Sequence, residues 1–308
     1  MSKFFRLIYI ISIVWFFITG CESDLQLKLN EGGGKLVLYA FPTADSILSV
    51  HLSKSINQSS VDYFERIYDG YITIYKNGTR VDSFTWPYKE TWQQRPAISI
   101  KSNDYIKIVG GNTEGLLVEG ETTLPETIPI NKIIKLDTIS TKDGGYILYN
   151  INFSDPKDIE NYYQLIISSE TRDSTNKKIE SQQINYIKTD DVFYIRNQEG
   201  SLLGGIDFLG TFSDYLITSE NYNLKIGIPE IYLEKPDEKQ KRIIRFNLMS
   251  LSEDYYKYIR SRVVAEYNYD LPLVDPIKPH TNINGGLGLV GGIAIASDSI
   301  IIIGSNYN

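Results

Sequence analysis

Tyr71-Ile72-Thr73-Ile74-Tyr75-Lys76-Asn77-Gly78-Thr79-Arg80-Val81-Asp82-Ser83-Phe84 decides the fold class of this chain. Apolar and polar residues alternate on both sides of Asn77-Gly78, the two-residue period of a half-buried strand. Asn-Gly between two such runs is the strongest short hairpin signal, because both central residues must take positive φ. The same signature extends outward. Lys35–Phe41 and Ile47–Ser53 are short apolar or alternating runs split by Pro42 and Asp45. Tyr105–Val109 and Leu116–Thr123 read as further strands, with Gly110-Gly111 as the turn. Short strands with turns at this spacing predict a β-sandwich.

Pro125 and Pro129 then interrupt the pattern. Two prolines within five residues disfavour continued pairing and make an extended connector. A second series follows: Ile133–Ile139, Tyr146–Phe153, Tyr163–Ser168, Ile184–Ile187, Val192–Ile195, Tyr215–Thr218, Leu224–Ile228 and Arg242–Leu248. The 23 tyrosines suit half-buried strands. One helix is expected near 252–264. Ser252 can cap it, Glu253 and Asp254 complement its N-terminus, and Leu251 can staple onto Tyr256. The expected architecture is all-β: two tandem β-sandwich domains, immunoglobulin-like or transthyretin-like, over residues 35–126 and 131–308, with one short helix packed on the second.

Outside that body, Lys3 and Arg6 precede an apolar run, Leu7 to Ile18, and then Thr19-Gly20-Cys21. A charged start, a short apolar stretch and small residues before a cut define a secretory signal. A twelve-residue run falls short of the roughly 20 apolar residues that span a bilayer. Cys21 is the sole cysteine of 308 residues. The expectation is a lipoprotein signal peptide over 1–20, cleaved before Cys21, whose thiol carries lipid and binds the chain to a membrane. Two or more acyl chains anchor stably, whereas one binds reversibly. Glu31-Gly32-Gly33-Gly34 closes a flexible tether over 21–34.

Removing Lys3 and Arg6 takes the formal charge from −7 to −9. Nucleic-acid binding needs clustered Lys and Arg, so that class is set aside. With Cys21 lipidated, no disulfide and no thiolate metal site is expected, and stability must come from core burial.

Catalytic signals are weak. Gly286-Leu287-Gly288-Leu289-Val290-Gly291 matches G-x-G-x-x-G, but prolines precede it and a β-like run, Ile293 to Ile303, follows. A dinucleotide site needs a strand before and a helix after, so the segment reads as a glycine-rich turn or bulge feeding a final strand. Only His51 and His280 could serve as imidazole bases. His51 sits in an alternating strand at a position read as solvent-facing, and His280 in a loop. Asp190-Asp191 reads as a turn or solvated edge, since strand neighbours point to opposite faces. No catalytic residue, metal ligand or cofactor is expected. The candidate binding segment is Trp86-Pro87-Tyr88-Lys89-Glu90-Thr91-Trp92-Gln93-Gln94-Arg95. Trp86, Tyr88, Trp92 and Arg95 are residue types that dominate interface hot spots, and flat rings stack on sugars; Trp86 or Trp92 could instead cover a core edge. Tyr267-Asn268-Tyr269-Asp270 is a second aromatic–polar stretch.

The chain resembles a family of Bacteroidota outer-membrane lipoproteins labelled domain of unknown function 4249. Four features carry the resemblance: Cys21-Glu22 with Lys35-Leu36-Val37-Leu38-Tyr39; the Tyr71–Gly78 hairpin; Arg245-Phe246-Asn247-Leu248 through Ser252-Glu253-Asp254-Tyr255-Tyr256-Lys257-Tyr258; and the glycine-rich run Asn282–Gly292. The last departs slightly, with Asn284-Gly285-Gly286 where the family pattern places an acidic residue before Asn-Gly. The resemblance implies a non-enzymatic protein, lipid-anchored at the outer membrane and on the cell surface. Its implied partner is a TonB-dependent receptor, to which it is accessory in nutrient capture or uptake. The alternative is a free-standing carbohydrate- or protein-binding adhesion module.

Overall fold

The computed structural model describes residues 33–56, 64–86, 93–95, 98–194, 206–268 and 277–307. The described residues of the first half form seven strands: β1 (Leu36–Phe41), β2 (Leu48–Lys54), β3 (Tyr71–Lys76), β4 (Thr79–Thr85), β5 (Gln93–Arg95), β6 (Tyr105–Gly111) and β7 (Leu117–Thr123). At the tip of the β3–β4 hairpin, Asn77 has φ 50° and Gly78 φ 80°, the positive pair that Asn-Gly supplies at least cost. One expected turn is displaced. Gly110-Gly111 lies inside β6, and the chain reverses over residues 112–116, where the Asn112 side chain accepts the Leu116 N–H at 3.1 Å.

The second half adds β8 (Ile130–Thr141), β9 (Gly144–Ser154), β10 (Tyr162–Asp173), β11 (Lys178–Gln183), β12 (Ile187–Lys188), β13 (Thr211–Ser213), β14 (Asn221–Pro229) and β15 (Gln240–Leu251). Helix α1 (Glu253–Asn268), β16 (Leu287–Val290) and β17 (Ile293–Ile303) complete it. Two expected strands are instead single 3-10 turns, Asp191–Phe193 and Asp214–Leu216. In the first, Asp190 caps the turn by accepting the Val192 N–H, and local side-chain capping outcompetes extension.

Four sheets make two sandwiches. The first pairs the sheet β16-β1-β2-β5 with β4-β3-β6-β7; the second pairs β11-β10-β15-β17 with β12-β14-β9-β8, and β13 adds to β10. Alternation builds each core. Leu36, Leu38 and Ala40 of β1 face Ile72 and Ile74 of β3 and Ile106 and Ile108 of β6 in the first. Ile151 and Phe153 of β9, Leu165 and Ile167 of β10, and Ile244, Phe246 and Leu248 of β15 fill the second.

The boundary at 131 needs correction in one place. β16 pairs in parallel with β1, from Val37↔Leu287 to Ala40↔Val290, so residues 287–290 belong to the first sandwich. Gly288 permits this. It has φ 114°, and a Cβ there would collide with the Leu38 carbonyl oxygen. The chain then crosses back through Gly291-Gly292 to β17, which pairs with β15 along its full length.

Helix α1 is wedged at this junction. It packs on the second sandwich through Tyr256, whose ring lies 4.7 Å from that of Tyr162. It packs on the first as well, with Tyr255 5.1 Å from Phe41 and Tyr258 6.0 Å from Tyr39. Met249, Leu251, Tyr256, Ile259 and Ile293 form the apolar seam between them. A 16-residue helix is marginal alone and depends on such packing.

Candidate functional site

The structure separates the sequence candidates. Trp86, a candidate for a binding surface that could instead cover a core edge, is 4% exposed and belongs to the first core. Its backbone N–H donates to the Gly70 carbonyl at 2.7 Å, which fixes the chain immediately after β4 against the loop leading into β3. An indole there buries more apolar surface than any smaller residue could, and that decides its place. Arg95 ends β5, opposite Leu48 of β2. Tyr88 and Trp92 lie outside the described residues, as do Cys21 and the whole stretch before Gly33. Of the second aromatic stretch, Tyr267 is exposed near the helix end, while Tyr269 and Asp270 lie outside the described residues.

His51 is a further correction. It is 7% exposed rather than solvent-facing. Its Nε2 lies 2.9 Å from the Ser53 hydroxyl, and its ring stands edge-on to Phe64 at 5.3 Å and to Trp86 at 6.2 Å. The outer face of β2 is therefore covered, a fact that alternation within one strand cannot report. Asp190, read as a turn or edge, accepts from Tyr222 Oη at 2.6 Å and from the Lys225 N–H at 3.1 Å. It is a cap tied into its neighbours.

The junction holds the densest polar network. His280 Nε2 lies 2.7 Å from Asp254 Oδ1, and the His280 N–H donates to Ser261 Oγ at 2.7 Å. Asn282 Nδ2 donates to the Glu121 carbonyl at 3.0 Å, to Asp254 Oδ2 at 3.1 Å and to the Val290 carbonyl at 2.9 Å. Its Oδ1 accepts the Val290 N–H at 2.9 Å. Gly292 N–H is shared between Thr122 Oγ1 at 3.2 Å and Ser252 Oγ at 3.0 Å. Ser252, expected to cap α1, thus spends its hydroxyl on the crossing strand, and its carbonyl accepts the Tyr256 N–H at 3.0 Å. These contacts lock β7, α1 and β16 together. His280 is engaged there in structure, with its carboxylate partner on the helix.

Titration behaviour follows burial. The hydroxyls of Tyr163 and Tyr186 are pushed well above the ordinary phenol range, chiefly by desolvation. Arg260 is lowered to about 10 by burial, its guanidinium lying 3.7 Å from the Phe208 ring centroid. Among the described residues no group of three or more His, Cys, Asp or Glu side chains is placed to hold a metal ion, and no helix is long and apolar enough to cross a membrane.

The fold and the glycine-rich crossing define an all-β tandem-sandwich protein with one junction helix. The chain belongs to the family described as Domain of unknown function (DUF4249), whose model matches residues 22–299. No curated protein matches it. Among solved structures it is similar to a two-domain fibronectin type-III segment from chicken tenascin, at 9% identity and TM-score 0.21, covering 71% of this chain and 91% of that one. It is similar to three N-terminal domains of the bacteriophage RB49 highly immunogenic outer capsid protein, at 9% identity and TM-score 0.24, covering 70% of this chain and 63% of that one. A Parabacteroides merdae β-glucuronidase is similar at 9% identity and TM-score 0.19 over 71% of this chain, which spans 24% of that enzyme.

Proposed function

We propose that the chain is a non-enzymatic surface protein, held on the outer membrane of a Bacteroidota cell by lipid on Cys21, that assists a TonB-dependent transporter in nutrient capture or uptake. The observation that carries this reading is the sole cysteine, placed directly after a basic, then apolar, then small-residue sequence and followed by Glu22 and Asp24. From Cys21 to the first strand at Leu36 the chain can reach about 50 Å when extended. A tether of that length lets the sandwiches sit over a neighbouring barrel. The net charge supports a protein partner over nucleic acid. The adhesion alternative rested on Trp86 and Trp92 as surface rings, and Trp86 is in the core.

Cys21→Ser tests the anchor. The variant is expected in the soluble fraction of lysed cells, with the wild-type chain in the membrane fraction. Cys21→Ser that still pellets with membranes refutes anchoring through that residue. Affinity purification of the wild-type chain in mild detergent tests the partnership. A β-barrel receptor in stoichiometric amount supports it, and a solitary chain overturns it.

A further inference from the structure

β17 forms one edge of the second sandwich. It pairs with β15 on one side and, among the described residues, with no strand on the other. A free edge is a row of open N–H and C=O groups that templates pairing with another chain. Other edges of this protein carry obstacles to such pairing. β5 and β12 are three and two residues long, β11 carries Lys178 and Glu180, and β8 carries Lys132 and Lys135 with two register shifts against β9. β17 has none of these. Its eleven residues pair with β15 without a shift and include no lysine, arginine, proline or glycine. Ile295, Ile301 and Ile303 are exposed, and Ile300 to Ile303 is an unbroken run of isoleucine. Strong strand formers at low charge without proline are the composition that stacks edge to edge.

Asp298 is the one charged residue in the strand. It alternates with Ile300 and Ile302, which pack on the second core, and so shares their face. Its Oδ1 accepts the Ser299 backbone N–H at 2.7 Å. In an antiparallel ladder, alternate residues direct both N–H and C=O to one neighbour, and the residues between direct theirs the other way. The Ser299 amide, held by a side chain, is one that faces the open side. β4, an edge of the first sandwich, has the same construction: Asp82 Oδ1 accepts the Ser83 N–H at 2.8 Å. An Asp-Ser pair midway along a free edge thus occurs in both sandwiches.

We infer that Asp298 guards this edge and keeps β17 from pairing with β17 of a second copy of the chain. The strand is otherwise self-complementary. Antiparallel pairing about Ser299 would set Ile295 of each copy opposite Ile303 of the other on one face, an isologous contact. The same register sets Asp298 opposite Ile300 of the second copy. To pair in this way, the Ser299 amide must leave the carboxylate. The carboxylate must then give up both water and its charge-assisted bond beside an apolar side chain. With Asp298 in place, the amide is satisfied without a partner strand, and an incoming strand meets a charge it cannot match. The inference stands on the second sandwich alone and is independent of the anchor at Cys21.

The test is sedimentation equilibrium of the detergent-solubilised full chain over a concentration series, in density-matched detergent. The wild-type chain is expected as a single copy. Asp298→Val, which removes charge and cap at an exposed position, is expected to dimerise, with association at least about tenfold tighter than that of wild type. Asp298→Asn, which keeps an oxygen for the Ser299 N–H and drops the charge, is expected to fall between the two. Adding Ile301→Lys to Asp298→Val puts a charge on the exposed face of the same edge and is expected to restore single copies. Circular dichroism confirms that each variant is folded. Asp298→Val that sediments like wild type overturns the inference, as does self-association that survives Ile301→Lys. A wild-type dimer that Ile301→Lys alone dissociates overturns it equally. Should Asp298→Val not fold, Asp298→Asn decides, and its equality with wild type overturns the inference.

Discussion

Replacing Asn282 with alanine removes four hydrogen bonds at the point where the two sandwiches are joined. Two of them serve the N–H and C=O of Val290, a residue with no exposed surface. Alanine leaves these groups buried, and each unsatisfied backbone group costs about 1–3 kcal/mol. The bonds to Glu121 and Asp254 face water more and contribute about 0.5–1.5 kcal/mol each at most. Some relaxation of β16 recovers part of the loss, so the expected destabilisation is about 2–5 kcal/mol. The assay can place the damage. Trp86 and Trp92 are the tryptophans that remain if residues 1–20 are removed, and both fall between β4 and β5 in sequence. Tryptophan emission during urea unfolding therefore follows the first sandwich, and far-ultraviolet dichroism follows both. The emission midpoint is expected to drop markedly in Asn282→Ala. Asn131→Ala, which removes two exposed side-chain bonds on β8, is the control and should change stability by less than about 0.5 kcal/mol. An Asn282→Ala midpoint no lower than that of the control would refute the argument that this residue locks the crossing strand.

Two further outcomes follow from the same packing. Gly288→Ala is expected to expel β16 from the first sheet, because its φ and the Leu38 carbonyl leave no space for a methyl group. The emission transition should move to lower urea and separate from the later dichroism transition, and coincident transitions in this variant would count against it. Near the Asn77 turn, burial pushes the Asp104 carboxyl up, but Lys76 at 2.8 Å, the Lys101 N–H and the Asn77 side chain together hold it below the ordinary carboxylate range. A carboxyl lowered in the folded state contributes stability above its unfolded value, about pH 4, and loses it as pH falls through the folded value. The acid-side loss of stability should therefore shrink in Asp104→Asn, and an unchanged profile between pH 5 and 2 would sink the assignment.

The elements whose information is local were legible. Asn77-Gly78 carries its own turn geometry, and the helix start carries its own acidic first turn at Glu253 and Asp254. What went astray depended on a neighbour distant in sequence. The sequence leaves Trp86 either on a binding surface or over a core edge, and no nearby residue reveals that it is buried in the first core. His51 occupies an outward strand position, yet Phe64 and Trp86 close over it. Val192–Ile195 and Tyr215–Thr218 are the exception: they have strand composition, but the Asp190 side-chain cap and the Ile217 N–H to Asp214 carbonyl bond, both local, turn the chain instead.

By itself the sequence determined the strand-rich class, the hairpin, the helix, the proline connector after β7 and the lone cysteine ahead of the body. Alternation, turn chemistry and charge act over a few residues, so composition and order suffice for them. Only the tertiary structure decided that β16 returns in parallel to β1, that α1 wedges between the sandwiches, and that Asp155 lies buried against the Tyr163 hydroxyl. Those outcomes depend on backbone approach and burial between residues as much as 250 positions apart, as in Leu38 beside Gly288. Pairing at that distance is fixed by what fits in space, and local patterning does not carry it.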